Sequence, residues 1–349
     1  MPTVARRSLL ILSTAGLVEV AAGQTRVGGG NERESRQPVA TELSRLGTID
    51  WLRRMHAASR QFSYVGTFVV SATTGNLSSA RIWHVAQGDV LMERVESLSG
   101  AQRSTFRRNG QIMTFFPEDK VVKSEKRENL DFFPNLPGAP DSTIGDLYDA
   151  QILGKGRVAA LDADVVQLVP RDRLRFGYRV WCERRTGLVV ALQTVDGDGR
   201  VVEQSAFSEL QFNAPVKVQA LQQMMSDTAG YRIETSELER TTAAAEGWTL
   251  REAVHGFRPV NCYRRSLDGG AKPERTMQWT FSDGLASVSL FVEPFDVRRA
   301  SREATLALGA THTLTRRLSD RDGDWWLTAV GEVPSQTLDA FAQGLMRLR

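Results

Sequence analysis

Tyr64-Val65-Gly66-Thr67-Phe68-Val69-Val70 is the stretch on which the fold turns. β-Branched and aromatic residues fill it and no proline interrupts it, so it reads as a strand. Its two faces carry Tyr64, Phe68 and Val70 on one side and Val65, Thr67 and Val69 on the other. Both are apolar, whereas a sheet with one solvated face would alternate with polar residues. Something therefore covers one side. The expected cover is the amphipathic helix predicted just upstream from Thr48, with Ile49, Leu52, Met55 and Ala58 on one face and Thr48 or Asp50 as its cap. The uncovered side is left to line a concavity.

Downstream the same period of two continues at residues 80–85, 90–98, 104–108 and 111–116, separated by Thr74-Gly75-Asn76, Gln87-Gly88-Asp89 and Asn109-Gly110. The last is a two-residue hairpin signal, because a type I′ turn needs positive φ at both central positions. Asp131-Phe132-Phe133-Pro134-Asn135-Leu136-Pro137-Gly138-Ala139-Pro140 breaks the pattern. Its prolines bar a central strand, so a loop carries its large apolar side chains. Strands resume at 157–160, 164–169, 178–183, 188–195 and 201–212. A curved antiparallel sheet of about ten strands tends to close into a barrel or half-barrel. Residues 215–246 turn to Gln, Thr, Ser, Glu and Ala and read as a linker, with Val218, Leu221 and Met225 at helical spacing. From residue 247 a second unit of mixed character begins, with strands near 249–250, 277–282, 286–293 and 324–331. A helix is expected near 301–308, and a C-terminal helix carries Leu338, Phe341 and Leu345 on one face. The expected fold is α+β: a half-open antiparallel barrel wrapped on helices over 48–214, and a smaller α+β domain over 247–349.

The whole chain of 349 residues has room for two such domains. Its 44 basic and 41 acidic residues give no basic footprint of the kind nucleic-acid binding demands. Arg6 and Arg7 before an apolar run from Leu9 to Val18, then Ala21, Ala22 and Gly23, read as a secretory leader over 1–22 cleaved after Ala22. The run is too short for a membrane span, since Glu19 interrupts it. Residues 23–47, with Gly28-Gly29-Gly30 and a charged polar stretch, read as a flexible arm. An exported chain meets an oxidising space in which Cys182 and Cys262 could pair, although Cys182 beside Trp181 in an apolar strand also reads as a buried small hydrophobe.

Catalytic and metal signatures are missing. His56, His84, His255 and His312 are far apart, and neither His-x-x-x-His nor Cys-x-x-Cys occurs, so no metal is expected. Asp196-Gly197-Asp198-Gly199 and Asp320-Arg321-Asp322-Gly323-Asp324 lack the glycine and glutamate positions of a calcium loop and read as hairpin turns. No phosphate loop and no Gly-x-Ser-x-Gly elbow occurs. No cofactor and no enzyme activity are expected. What remains is surface and cavity. Phe68, Val70, Ile82 and Trp83, with Phe132 and Phe133 above them, either wall a pocket for an apolar ligand such as an acyl chain or plug the sheet as core. Arg171, Arg173 and Arg175, interleaved with Leu174 and Phe176, suit phosphate groups or acidic side chains of a partner; the bland reading is a solvated strand connection.

Trp51-Leu52-Arg53-Arg54-Met55, Tyr64-Val65-Gly66-Thr67-Phe68 and Arg81-Ile82-Trp83-His84 resemble the opening of the RseB/MucB family of periplasmic sigma-E regulators. The longest match runs from Leu168-Val169-Pro170-Arg171-Asp172 through Phe176-Gly177-Tyr178-Arg179-Val180-Trp181 to Gly199-Arg200-Val201-Val202-Glu203-Gln204. Phe281-Ser282-Asp283-Gly284-Leu285-Ala286, Arg316-Arg317-Leu318 and Val330-Gly331-Glu332-Val333-Pro334 follow in the family's order. The chain departs from the family at Cys182, at the turn Asp322-Gly323-Asp324-Trp325-Trp326 and in the long segment 215–246.

The resemblance implies a first domain similar to the lipoprotein carriers LolA and LolB. It implies a periplasmic negative regulator that binds the periplasmic region of a membrane anti-sigma factor of the RseA/MucA kind and shields it from proteolysis. Lipid-like stress signals, including lipopolysaccharide acyl chains, would release that grip. It favours the acyl-ligand reading of the concavity over the plug. A lipid or lipoprotein carrier of the LolA/LolB type is the competing function, and a homo-oligomer is compatible with either.

Overall fold

The computed structural model describes residues 46–126, 143–236, 238–267, 274–297, 302–321 and 323–348. The expected leader, all but the end of the arm, and the loop with Phe132 and Phe133 lie outside the described residues.

Helix α1 (Thr48–Gln61) is followed by β1 (Tyr64–Ala72), β2 (Asn76–Gln87), β3 (Val90–Ser97), β4 (Ser104–Arg108), β5 (Gln111–Phe116) and β6 (Val121–Lys126). After the short α2 (Ile144–Leu147) come β7 (Tyr148–Val158), β8 (Leu161–Pro170), β9 (Gly177–Glu183), β10 (Val189–Val195) and β11 (Val201–Phe212), then α3 (Val218–Ser226) and β12 (Arg232–Ser236). These strands form one 12-stranded sheet in the order β12-β6-β5-β4-β3-β2-β1-β11-β10-β9-β8-β7. The end strands β12 and β7 do not pair with each other, so the sheet is open and no closed barrel forms. The period-two pattern at 64–70 becomes the central strand: β1 pairs with β2 on one side and β11 on the other, both antiparallel.

Turn chemistry sets the registers. Asn109 and Gly110 have φ of 45° and 83° and seat Arg108 opposite Gln111, the hairpin their sequence predicts. The β7–β8 hairpin turns instead on Ala159 and Ala160, both at positive φ (48° and 64°). Alanine carries no turn signal, so the expected strand at 157–160 is really the end of the longer β7 and the turn itself.

The cover of the sheet differs from the expectation. α1 lies on the same face as the concavity, burying Trp51, Leu52, Met55 and Ala58. The opposite face is covered by α3, whose Val218, Leu221 and Met225 pack on Val85, Met92, Phe106, Phe115 and Val122. The helix predicted in the connecting segment thus covers the alternate apolar residues of β2 to β6.

The second sheet has seven strands. β13 (Leu238–Arg240), β15 (Arg258–Leu267), β16 (Glu274–Ser282), β17 (Ser287–Pro294), β18 (Ala304–Leu308), β19 (Thr311–Asp320) and β20 (Gly323–Gly331) run in the order β13-β15-β16-β17-β20-β19-β18. β14 (Trp248–Leu250) pairs separately with β21 (Leu345–Arg347), which follows helix α4 (Ser335–Gly344). α4 buries Leu338 and Phe341 against Phe257, Phe281 and Leu290. The helix expected near 301–308 is a correction: residues 304–308 are a strand, because Gly309 at φ 60° and Ala310 turn the chain so that Leu308 faces Thr311. Cys182 on β9 and Cys262 on β15 are free buried thiols on different sheets. None of the described helices is long and apolar enough to cross a membrane.

Candidate binding cavity and joint between the sheets

Alternation along β1 to β4 and the registers of their hairpins place one row of side chains across four neighbouring strands. Tyr64 lies opposite His84, His84 opposite Glu93, and Glu93 opposite Arg107. All four point to the α1 face, where they border a cavity of about 270 Å³. Tyr64 stacks on His84 with ring centroids 4.8 Å apart. His84 Nδ1 is 3.5 Å from Glu93 Oε2, and Arg107 Nη1 donates to Glu93 Oε1 at 3.0 Å. Burial pushes the Glu93 carboxyl up, yet Arg107 and His84 together outweigh it and hold the group below the ordinary carboxylate range. Burial, aided by Glu93, drives the Tyr64 hydroxyl far above its usual value.

The other half of the cavity is apolar. Phe68, Ile82 and Val95 meet Phe207 of β11 and the run Leu188 to Leu192 leading into β10, and Met55 of α1 closes it from above. At the polar end stands Arg103, half-buried and without a carboxylate partner among the described residues. Burial alone lowers its pKa, with no acid nearby to offset it. The cavity therefore runs from a charged end at β3 and β4 to an apolar end at β10 and β11.

The expected pocket residues divide accordingly. Phe68 and Ile82 line the cavity together. Val70 is buried farther along the same face of β1, where it does not line the cavity. Trp83 points to the opposite face, where it packs beside α3 under the guanidinium of Arg94, 4.7 Å from the ring centroid. Phe132 and Phe133 lie outside the described residues. Tyr64, His84, Glu93, Arg103 and Arg107 were missed as lining, although the turn at residues 87–89 already fixes His84 opposite Glu93.

The three arginines are not brought together. Arg171 is exposed and bonded to Asp149 at 2.6 Å, and Arg173 is exposed. Arg175, in contrast, is fully buried where the two sheets meet. Its Nε is 3.2 Å from Asp283 Oδ2, with both side chains at 0 % exposure, and its Nη1 is 3.3 Å from Asp172 Oδ2. Its Nη2 donates to the carbonyl of His255 at 2.7 Å, and the guanidinium lies over the rings of Tyr148 and Phe257. Asp283 also accepts the amides of Leu285 (2.8 Å) and Ala286 (2.7 Å) and the hydroxyl of Tyr148 (3.0 Å). Around this pair, Gln336 and Thr337 at the start of α4 donate to the carbonyls of Arg173 and Leu174. Phe176 meets the His312 ring edge-on, and Glu203 accepts the amide of Ala310 at 3.2 Å. The basic stretch 171–177 is thus the plug by which the first sheet seats in the second. Among the described residues no group of His, Cys, Asp and Glu is arranged to hold a metal ion.

Residues 48–225 match the MucB/RseB N-terminal domain family, and residues 242–346 match the MucB/RseB C-terminal domain family. The chain is 30 % identical over 301 residues to the sigma factor AlgU regulatory protein MucB of Pseudomonas aeruginosa, covering 84 % of this chain and 89 % of the relative. It is 26 % identical to the sigma-E factor regulatory protein RseB of Escherichia coli K12, with the same coverage. Among solved structures it is similar to MucB in complex with MucA(peri), with a TM-score of 0.66 at 27 % identity, covering 86 % of this chain and 98 % of that one. The Pseudomonas aeruginosa MucA/MucB complex is similar too, with a TM-score of 0.67 at 28 % identity over 86 % of this chain and 98 % of that one. Two family matches in order, spanning both sheets and the joint between them, place the chain in the MucB/RseB family.

Proposed function

We propose that this chain is a periplasmic sigma-factor regulatory protein that holds the periplasmic segment of a membrane-anchored anti-sigma factor, shields it from proteolysis and releases it when a lipid-like signal occupies the cavity. The observation that carries the reading is the likeness over 86 % of the chain, across both sheets, to MucB captured with its anti-sigma partner. The first sheet, curved over α1, acts as a half-open barrel of the LolA kind, and 48–214 and 247–349 act as two domains, with 215–246 lending α3 and β12 to the first and β13 to the second. Exposed Arg171 and Arg173 are the proposed contacts to acidic or phosphate groups of the partner. Phe68 and Ile82 form the proposed apolar wall for the signal. Nothing in this scheme requires a bond to be made or broken.

Calorimetric titration of the mature chain with a purified MucA-like periplasmic segment tests the proposal: a saturable one-to-one heat, weakened by Arg171→Ala with Arg173→Ala, is expected. No binding overturns it. Lipid transfer between vesicles without any affinity for the anti-sigma segment would favour the carrier instead, a reading the amphipathic cavity supports.

A further inference from the structure

α1 touches both features described above. Near its middle, Met55 lines the cavity. One turn earlier, Trp51 and Leu52 are fully buried in a cluster with Leu147, Tyr148 and Leu285, the last from the second sheet's Asp283 loop. At its first residue, Thr48 Oγ1 donates to the carbonyl of Tyr148 at 3.1 Å and accepts the amide of Ala150 at 2.9 Å. The hydroxyl of that same Tyr148 donates to Asp283 Oδ2, the oxygen that faces Arg175. A continuous run of packed and hydrogen-bonded groups therefore leads from the cavity through α1 to the buried ion pair.

We infer that α1 is the lever through which occupancy of the cavity reaches the joint: a guest that displaces Met55 moves α1 and, through Thr48 and Tyr148, loosens the hold of Asp283 on Arg175. The inference rests on the proposed reading of the cavity as a ligand site. Three physical points support it. A helix moves as a body, and a close-packed interior passes a displacement on instead of absorbing it. A volume of about 270 Å³ falls just short of the usual range of ligand pockets, ~300–1,000 Å³, so a long-chain guest fits better once α1 has shifted. Only such a difference in affinity between two arrangements lets a ligand move an equilibrium. The joint supplies the two-state element, because a fully buried ion pair is held only while its geometry is good and its remaining hydrogen bonds are made. Tyr148 makes one of those bonds through its hydroxyl, and α1 holds the same residue by its main-chain carbonyl.

Laurate serves as the probe, with full-length mature protein and a MucA-like periplasmic segment as partner. In the wild type, saturating laurate should weaken partner affinity about fivefold or more and enlarge the radius of gyration in X-ray scattering. Thr48→Val, which removes the hydrogen-bonded link to Tyr148 and leaves the packing of Trp51 and Leu52, should bind laurate and partner with unchanged affinity while the effect of one on the other shrinks about twofold or more. The double variant Arg175→Met with Asp283→Asn removes both buried charges together, so it should fold, bind laurate normally and show a radius of gyration that laurate no longer alters. If both variants bind laurate and still respond as the wild type does, the lever is wrong and the cavity reading stands. If the wild type fails to bind laurate, the cavity reading and the lever fall together. If it binds laurate with no change in partner affinity, the lever is overturned.

Discussion

Arg107–Glu93 and Arg175–Asp283 are the same chemical pair in two regions of the molecule, and they behave differently. In the first sheet Arg107 keeps 24 % of its side chain exposed beside an open cavity, and its carboxylate answers to a second basic neighbour, His84. At the joint neither partner is exposed at all; two amides and a tyrosine hydroxyl complete the carboxylate and two aromatic rings flank the guanidinium. The first pair has water and empty volume at hand if a partner is lost. The second has none. Surroundings, more than the ions themselves, make one pair the wall of a cavity and the other a fastener.

The largest test of that contrast is Arg175→Met alone. It strands Asp283 without its cation and should cost ~3–5 kcal/mol in urea unfolding, with most of the loss recovered when Asp283→Asn is added. A loss no larger than that of an exposed arginine would erase the distinction between the pairs. Glu93→Gln should cost ~1–3 kcal/mol, less than the joint variant because Arg107 can turn to water. The Glu93 carboxyl is held below its ordinary value, so its contribution is present above the unfolded pKa, ~4.3, and fades as pH falls through the lower folded value. The unfolding midpoint of Glu93→Gln should therefore converge on that of the wild type in acid; parallel curves would count against the pairing. Gly256→Ala probes the joint's backbone. Gly256 sits at φ 78°, and an added Cβ would lie 2.7 Å from Leu147 Cδ2 and 2.8 Å from Arg175 Nη2. A cost of ~1–2 kcal/mol from the left-handed conformation alone is expected in the same assay. Smallest in stability is Arg103→Ala, within about 0.5 kcal/mol of wild type. It should nevertheless weaken laurate about tenfold, near the ~1.5 kcal/mol of a hydrogen bond to a charged group, and leave a neutral alcohol of equal length unaffected. Equal losses for both ligands would remove Arg103 from the charged end.

How much of this was legible follows the range of the interactions. Strands β1 to β5 and the Asn109–Gly110 turn could be read because alternation and turn chemistry are local. The Ala159–Ala160 turn could not, since alanine at positive φ is held by the paired strands on either side. The strand Ala304–Leu308 was read as a helix for the opposite reason: a short apolar run supports both assignments until its hairpin partner is known. Phe68 and Ile82 share the cavity face by alternation, while Trp83 lies one residue of period away, which carries it to the other face. The polar row from Tyr64 to Arg107 was within reach, given the registers, but charged residues inside an apolar wall do not announce themselves. Arg175 was misread as a surface group because its partner, Asp283, comes from the other sheet and nothing in its own neighbourhood signals burial.

The segment after α3 gives its extended chain to both sheets in turn: β12 ends at Ser236 beside β6, and β13 begins at Leu238 beside β15. With a single residue between the two ladders, this stretch works as a stitch whose length is part of the assembly. Adding a few glycines there would slacken the seam without touching a single side chain of the cavity or the plug, while a pull on one sheet would load the backbone of the other directly.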